Sequence, residues 1–191
     1  MYHIKEDKRS QLSAILIYEG LSKLMVTKAY EDIKITEIVK VAGVGRATFY
    51  RNFDNKIDIL RYRSDEIFNG LLEHLIKHHK KTPVNRSSEF LIPFLKYFDT
   101  HTDIVDLLIK ANHIDILVDS MNLLFKDMFD AYKSITPHAD ETWSYFIAIR
   151  SGITINILVQ WIKDGKVIPP NKLGELLGNQ LANSFTVDQL L

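Results

Sequence analysis

The chain has 191 residues, 46% of them hydrophobic, with 24 basic and 24 acidic side chains and no cysteine. Such a length and apolar content allow a substantial core, in one medium domain or in a small domain joined to a larger one. The lack of cysteine excludes disulfides and cysteine metal sites. The charged N-terminus has no signal-peptide core, and no run approaches the roughly 18 apolar residues that cross a bilayer. We therefore expect a cytoplasmic protein that does not enter the membrane.

The pattern of apolar residues predicts an all-α fold of about nine helices. Strand-like alternation is scarce, and glycine and proline fall mainly where helices would end. A first helix is predicted over Lys8–Thr27, and a long one from near Asn55 toward Lys80. Five further helices are predicted at about 87–99, 103–110, 113–133, 139–163 and 171–185. The polar, proline-containing segment Thr82–Ser88 is the best candidate for a boundary, because it interrupts the periodic pattern, and Pro137 separates two of the later helices.

Between the first and the long helix, the sequence predicts two short helices joined by a tight turn. Ile38, Val39 and Ala42 recur at helical spacing, and Gly43 supplies a permissive backbone where such a helix would stop. A second short helix fits from about Gly45, with two phenylalanines, Phe49 and Phe53, four residues apart on one face. This is the layout of a helix-turn-helix.

The face opposite the two phenylalanines is small, hydroxylated and cationic. On a helical wheel Ala47, Thr48 and Arg51 lie opposite the aromatic pair, and Arg46 and Tyr50 flank it. Small residues allow close approach to the major groove, arginine can pair with guanine, and hydroxyls can reach phosphates. The pattern indicates a DNA-recognition helix. An ordinary helical hairpin with polar residues outside is the alternative that these residues leave open.

The run Ala42–Lys56, AGVGRATFYRNFDNK, resembles the N-terminal domain of TetR-family transcriptional regulators, with the turn, the recognition helix and the start of the next helix in register. The resemblance implies a three-helix DNA-binding domain at 1–63, joined by a long fourth helix to a helical ligand-binding and dimerisation domain at 64–191. It also implies that Lys56 lies where the family grips a phosphate. The full set of DNA-binding candidates is Thr36, Gly45, Arg46, Ala47, Thr48, Tyr50, Arg51, Asn52 and Lys56.

Three positions depart from the family pattern. Lys34 replaces a usual threonine, Gly45 a usual serine, and Val39 a usual small residue. Without that threonine, Asp32 and Thr36 are the candidates to cap the second helix.

Charge is unevenly distributed although the formal net charge is zero. Residues 1–63 hold 12 basic and 8 acidic side chains, whereas residues 64–191 hold 12 and 16. A basic N-terminal part attached to an acidic body suits a protein whose N-terminal part faces DNA.

The body is rich in aromatic residues. Helical bundles bind small molecules in apolar cavities between helices, and the family resemblance implies an effector pocket there. The alternative is that these side chains simply fill the core. The pocket candidates are Phe68, Leu72, Phe94, Phe98, Met121, Phe125, Phe129 and Trp143.

The segment from Tyr145 to Trp161 is apolar on nearly all sides, so it must be covered by a core or by another chain. In the TetR family the last two long helices form a four-helix bundle with their symmetry mates. This part loosely resembles the subgroup that includes regulators of dihydroxyacetone kinase operons. A twofold dimer would place two recognition helices on a palindromic operator. The dimer candidates are Gly152, Ile155, Leu158, Val159, Ile162, Leu173 and Leu177.

Other chemistry is poorly supported, and no cofactor or metal is expected. His74 and His78 have a metal-binding spacing, but neighbouring lysines disfavour a cation. Asp99, Asp103 and Asp106 near His101 and His113 are explained more simply as acidic helix starts. Phosphate-binding glycine loops and nucleophile elbows are missing, so we do not expect an enzyme.

The sequence therefore predicts a homodimeric transcriptional regulator, a repressor released from double-stranded DNA by a small-molecule effector. One alternative keeps the fold but replaces the metabolite by a partner protein. The other is a helical-bundle enzyme or carrier that uses the aromatic pocket.

Overall fold

The structure is a computed structural model that describes residues 1–79, 87–133 and 142–183, with side chains over 1–77, 90–128 and 142–178 and at 180. The predicted interruption at Thr82 and its neighbours, Pro137, the first residues of the predicted helix 139–163 and the side chains of His78 and Phe129 lie outside what is described. Within the described ranges the chain is helical and has no strand, which confirms the all-α prediction.

The helices lie close to their predicted bounds. A single 3-10 turn, Tyr30–Asp32, precedes the second helix, and one isolated antiparallel bridge joins Tyr2 to Phe53. In chain order the helices are α1 (Lys8–Met25), α2 (Ile35–Ala42), α3 (Arg46–Asn52), α4 (Lys56–His79), α5 (Ser87–Asp99), α6 (Asp103–Lys110), α7 (Ile114–Lys133), α8 (Trp143–Lys163) and α9 (Pro170–Asn183).

The chain divides into two compact units. The first unit contains Met1–Glu66 together with Asp103–Leu117, and the second contains Ile67–Thr102 together with Val118–Leu191. The predicted boundary at residue 63 thus lies three residues from the change of unit within α4. The sequence did not predict that α6 belongs to the first unit.

The core of the first unit forms between α1, α2 and α3. Helix α1 begins at the N-cap Asp7, whose carboxylate accepts hydrogen bonds from the backbone N–H groups of Arg9 and Ser10. Gly20 allows α1 to approach α2 closely, because a Cβ at this position would lie 3.0 Å from the carbonyl oxygen of Ile38. Fully buried core residues of the unit are Ala14, Ile17, Leu21, Ile38, Phe49, Phe53, Ile59 and Leu60.

Helix α6 completes the first unit with an apolar face. Ile104, Val105 and Leu108 are fully buried. At the start of α6, Asp103 accepts a hydrogen bond of 3.3 Å from the hydroxyl of Tyr18 on α1. Just beyond the helix, the ring of His113 packs edge-on against Tyr30 at 5.5 Å.

The second unit contains an aromatic cluster and a close helix pair. The ring centroid of Phe98 lies 5.7 Å from that of Phe68 and 5.0 Å from that of Phe94. Helices α5 and α9 run so close that a Cβ at Gly174 would lie 2.5 Å from a side-chain carbon of Ile92. At the end of α8 the indole N–H of Trp161 donates to the carbonyl oxygen of Ile168 at 2.7 Å.

Helix α8 corrects two expectations. By length and composition it could cross a membrane, with a mean hydropathy of 1.3, whereas the sequence prediction included no such run. The reason is that Arg150 is its single charge before Lys163 and its other polar residues are neutral. A core helix meets the same criterion. In addition, Ile155, Leu158 and Val159, predicted for a dimer interface, face into the protomer and are buried there.

We expect Gly20→Val to lower the free energy of unfolding by about 1–3 kcal/mol, because the new side chain would meet the backbone of α2. Gln11→Val, an exposed substitution in the same helix, controls for the lower helix propensity of valine and should stay within about 0.5 kcal/mol of wild type. Urea denaturation measures both. Equal effects of the two substitutions would contradict the close α1–α2 packing.

Candidate nucleic-acid interface

The turn between α2 and α3 has the geometry expected from its sequence. Gly43 adopts a left-handed backbone conformation with φ of 66°. The N–H of Val44 donates to the carbonyl oxygen of Val39 at 3.0 Å, which closes a helix end of the Schellman type. Gly45 then precedes α3 with extended backbone and open space around its Cα. The glycines therefore end one helix and start the next within three residues.

Neither Asp32 nor Thr36, the two residues predicted to cap α2, occupies its N-cap position. Lys34 occupies the N-cap position, and its backbone N–H donates to the carboxylate of Glu37 at 3.1 Å. Glu37 also pairs with Lys28, and both hydrogen bonds lower its pKa, the one from Lys28 more strongly. Asp32 lies in the 3-10 turn instead, and Thr36 is exposed in the first turn of α2. The bond from the Lys34 backbone N–H to the Glu37 carboxylate thus stands in place of the side-chain cap that a threonine at position 34 would provide.

Helix α3 has one buried face and one exposed face. Phe49 and Phe53 are fully buried, with ring centroids 5.9 Å apart. Tyr50 is 51% exposed, and its ring packs edge-on against Phe49. Arg46 and Arg51 are exposed, and neither pairs with another described side chain. The two phenylalanines therefore fix which side of α3 faces outward, and the exposed residues on that side are Gly45, Arg46, Ala47, Tyr50 and Arg51, with Thr48 half-buried.

Asn52, predicted as a DNA-binding residue, is buried and has a structural role. Its side-chain oxygen accepts a hydrogen bond of 2.9 Å from the hydroxyl of Ser10, and its amide nitrogen donates to the carbonyl oxygen of Thr48 at 3.1 Å. It is 0% exposed. The prediction was wrong for this residue because the helical wheel gave no sign that α1 covers the last turn of α3.

Lys56 is the first residue of α4, as expected, but its ammonium group does not face outward. The Nζ atom donates to the carbonyl oxygens of Tyr30, Glu31 and Ile33 at 2.6, 3.0 and 3.2 Å. It also lies 4.4 Å from the centroid of the Tyr30 ring. All three donors of the ammonium are thereby used, so the side chain itself is not free for the phosphate that the family resemblance implies at this helix start.

Tyr30 supports the lysine from a buried position. Burial, and secondarily the charges of Asp58 and Glu31, raise the pKa of its phenol to about 12. The ring therefore stays neutral at physiological pH and offers a π face to the cation.

A cavity of about 380 Å³ lies in the first unit, whereas the residues predicted for the effector pocket belong to the second. It opens between α1, α4 and the start of α6, beside the Tyr18 ring on which the Arg63 guanidinium packs at 5.3 Å. Its lining is Ile15, Tyr18, Glu19, Ser22, Lys23, Tyr62, Arg63, Glu66 and Asp103.

The residues predicted for the effector pocket lie in the second unit. Phe68, Phe94, Phe98 and Met121 are buried, and Leu72, Phe125 and Trp143 are half-buried. Several of their rings pack on one another as described above, which suits a core as well as a pocket wall.

Several of the acidic and histidine residues considered for metal binding have other partners. Asp99 pairs with Lys166 at 2.9 Å, and the ring of His101 stacks on Tyr97 at 4.2 Å. In the part of the chain that the structure describes, no three His, Asp or Glu side chains lie together as a metal site.

The geometry defines a class of protein. The first unit contains a tight helix-turn-helix whose second helix presents small, hydroxylated and cationic side chains, and a helical second unit is joined to it. This arrangement is typical of DNA-binding transcriptional regulators.

Comparison with known proteins identifies a family domain in the first unit and a similar protein over nearly the whole length. Residues 17–62 match the model of bacterial regulatory proteins of the tetR family. The chain is 25% identical over 179 residues to the HTH-type dhaKLM operon transcriptional activator DhaS of Lactococcus lactis subsp. lactis (strain IL1403), covering 92% of this chain and 90% of that protein. Residues 17–62 therefore form a domain of the tetR family, and the chain as a whole is similar to a DNA-binding transcriptional regulator.

Solved structures share the fold over nearly the whole length. Lin0861 from Listeria innocua superimposes with a TM-score of 0.75 at 16% identity, covering 96% of this chain and 95% of the other. The fatty acid degradation regulator FadR from Bacillus halodurans superimposes with a TM-score of 0.56 at 15% identity, covering 95% of this chain and 98% of the other. The dihydroxyacetone kinase operon activator DhaS superimposes with a TM-score of 0.53 at 21% identity, covering 90% of this chain and 92% of the other.

We expect Lys56→Met to lower the free energy of unfolding by about 1–3 kcal/mol, because three backbone carbonyls lose a charged donor. Lys110→Met, an exposed substitution in α6, should change it by less than about 0.5 kcal/mol. Urea denaturation of the two variants separates a structural lysine from a surface one. If Lys56→Met is as stable as the control, the structural role of the ammonium is wrong, and the Lys56 side chain is again a candidate for binding a DNA phosphate.

Proposed function

We propose that the protein is a homodimeric regulator that binds a palindromic operator through the outward face of α3 and changes its DNA affinity in response to a signal received by the second unit. The observation that carries this proposal is the face of α3, where two exposed guanidinium groups, neither paired with another described side chain, stand beside small and hydroxylated residues. The burial of Phe49 and Phe53 on the opposite side supports that orientation.

Each exposed residue of α3 has a distinct role in the proposed complex. Arg46 and Arg51 have guanidinium groups that can pair with guanine edges or phosphates. Tyr50 and Thr48 offer hydroxyls to the backbone of the DNA. Gly45 and Ala47 are small enough to let the helix approach the groove, and Thr36 extends the surface onto α2. We omit Asn52 and the Lys56 ammonium, since both are occupied within the protomer.

The proposed dimer contact uses the exposed side of α8 and α9. Tyr145, Phe146 and Ile149 are 71%, 53% and 52% exposed, and Tyr145, Ile149 and Gly152 follow one another at helical spacing. A Cβ at Gly152 would meet nothing within 4 Å, so a second chain could approach closely here. Leu176 on α9 is also exposed. These residues, with Ile162, Leu173 and Leu177, replace Ile155, Leu158 and Val159 as the candidate interface.

The rest of the proposal concerns the nature of the signal and whether the protein represses or activates transcription. We place the protein in the cytoplasm as a repressor that a small molecule releases, with the effector bound among the aromatic residues of the second unit. Activation is the second candidate, because the relative DhaS is named as an activator. A partner protein as the signal is the alternative to a metabolite. A reporter gene behind the operator distinguishes repression from activation by the direction of its change.

We expect Arg46→Ala or Tyr50→Ala each to lower operator affinity by about 1–3 kcal/mol or more, because each removes a side chain that bonds to the DNA, with unfolding free energy unchanged within about 0.5 kcal/mol. The probe is the duplex that wild-type protein enriches from a random-sequence pool. Binding should weaken steeply with salt, and Arg46→Ala should reduce that dependence by about one phosphate equivalent if the arginine contacts the backbone.

The matched control for charge is Lys110→Ala, which removes an exposed cation elsewhere in the first unit. Its operator affinity should stay close to that of wild type. If Arg46→Ala and Tyr50→Ala bind the enriched duplex as wild type does at equal salt, the assignment of α3 to DNA is wrong.

We expect Ile149→Glu to convert the dimer to monomer in sedimentation velocity, because the substitution places a charge in the proposed apolar contact. Leu123→Glu, at a side chain that is 54% exposed on α7, is the matched control and should remain dimeric. A wild-type protein that is monomeric at micromolar concentration would contradict the dimer, and an unaffected Ile149→Glu dimer would contradict the interface.

A further inference from the structure

The segment Met1–Lys5, here called the arm, runs beside the end of the recognition helix. The N–H of His3 donates to the carbonyl oxygen of Asn52 at 2.8 Å, and the N–H of Asp54 donates to the carbonyl oxygen of Met1 at 3.2 Å. The two bonds form the antiparallel bridge between Tyr2 and Phe53. The carbonyl of Asn52, at the last residue of α3, has no partner within the helix. The arm therefore satisfies a group that the end of α3 leaves free.

Tyr2 connects the arm to α4. Its ring packs edge-on against Tyr62 at 5.4 Å, and its hydroxyl donates to the carboxylate of Asp65 at 2.7 Å. Burial and the bond to Asp65 raise the pKa of the Tyr2 phenol, so this donor stays protonated. Nearer the start of α4, the amino group of Met1 lies 2.8 Å from carboxylate oxygens of Asp54 and Asp58.

Ser10 connects the arm to α3 by a second route. Its hydroxyl oxygen accepts from the N–H of Lys5 at 3.1 Å and donates to the side chain of Asn52 at 2.9 Å. Asn52 in turn donates to the carbonyl oxygen of Thr48, one turn back on the outward part of α3. A continuous set of hydrogen bonds thus runs from the arm through α1 to the recognition helix.

A helix as short as α3 depends on such external support. It has seven residues, and isolated helices of that length are marginal in water. Pairing of side chains with base edges requires a recognition helix held within about 0.5 Å of its productive position. The aromatic pair fixes the inner face of α3, while the arm, Ser10 and Asn52 hold its last turn.

We propose that the arm is a positioning element for DNA reading, which holds the last turn of α3 against α4 and thereby sets the affinity for the operator over other DNA. The proposal rests on the function proposed above. None of its residues needs to touch a base. Sequence-independent attraction to phosphates depends on charge and tolerates small displacements, so it should depend much less on the arm.

The test uses Tyr2→Ala in the full-length chain, with two DNA probes at one salt concentration: the duplex enriched by wild-type protein and a scrambled duplex of equal length. We expect affinity for the enriched duplex to fall by about tenfold or more, and affinity for the scrambled duplex to change by less than about twofold. Amide hydrogen exchange of residues 49–53 should accelerate without DNA. Tyr2→Phe keeps the ring and the bridge, and should recover most of the affinity.

Ser10→Ala gives an independent variant should Tyr2→Ala fold poorly, because it breaks the link from Lys5 to Asn52 and leaves Tyr2 intact. The same selective loss is expected for it. The inference is overturned if a folded variant binds the enriched duplex within about twofold of wild type, or loses both duplexes equally. If wild-type protein enriches no sequence, the proposed function itself fails, and that outcome is distinct from a failure of the arm.

Discussion

The burial of Phe49 and Phe53 on one side of α3 is the constraint on which the rest of the DNA-binding unit depends. Two full aromatic side chains removed from water supply several kilocalories per mole, about 1.5–3 for each, and their spacing of four residues leaves a single orientation for the helix. Every other feature of the proposed interface follows from that orientation. Arg46, Tyr50 and Arg51 are exposed because the phenylalanines are not, and Asn52 turns inward to meet Ser10.

The structure also divides cations by function in a way that charge counting does not. The basic excess of residues 1–63 suggested a surface facing DNA, yet Lys56 uses its ammonium entirely on backbone carbonyls of the 3-10 turn and of Ile33, the residue that follows it. The guanidinium groups of Arg46 and Arg51, by contrast, pair with no other described side chain. A cation that completes the fold and a cation that is free for phosphate look identical in sequence, and only the positions of acceptors distinguish them.

Sequence periodicity predicted the helices well and the environments of single side chains less well. Helix α1, the helix-turn-helix and α5 follow from apolar spacing and from the glycine and proline residues that end helices, because these are local properties. The inward positions of Ile155, Leu158 and Val159 were not predictable, because the sequence of a helix that is apolar on all sides does not indicate which side packs inside its own protomer. The arm was missed for another reason: a few residues of extended chain have no periodicity, and their partners are about fifty residues away.

The membership of α6 in the first unit has a consequence for how this protein is made and altered. The chain leaves the DNA-binding unit after Glu66, returns at Asp103 and leaves again after Leu117. A fragment cut after the fourth helix would lack α6 and with it the hydrogen bond between Tyr18 and Asp103. During synthesis the unit cannot be completed until residue 117 has left the ribosome, well after the helix-turn-helix has emerged. A chimera that exchanges DNA specificity between regulators of this architecture must therefore carry two separate stretches of sequence, not one.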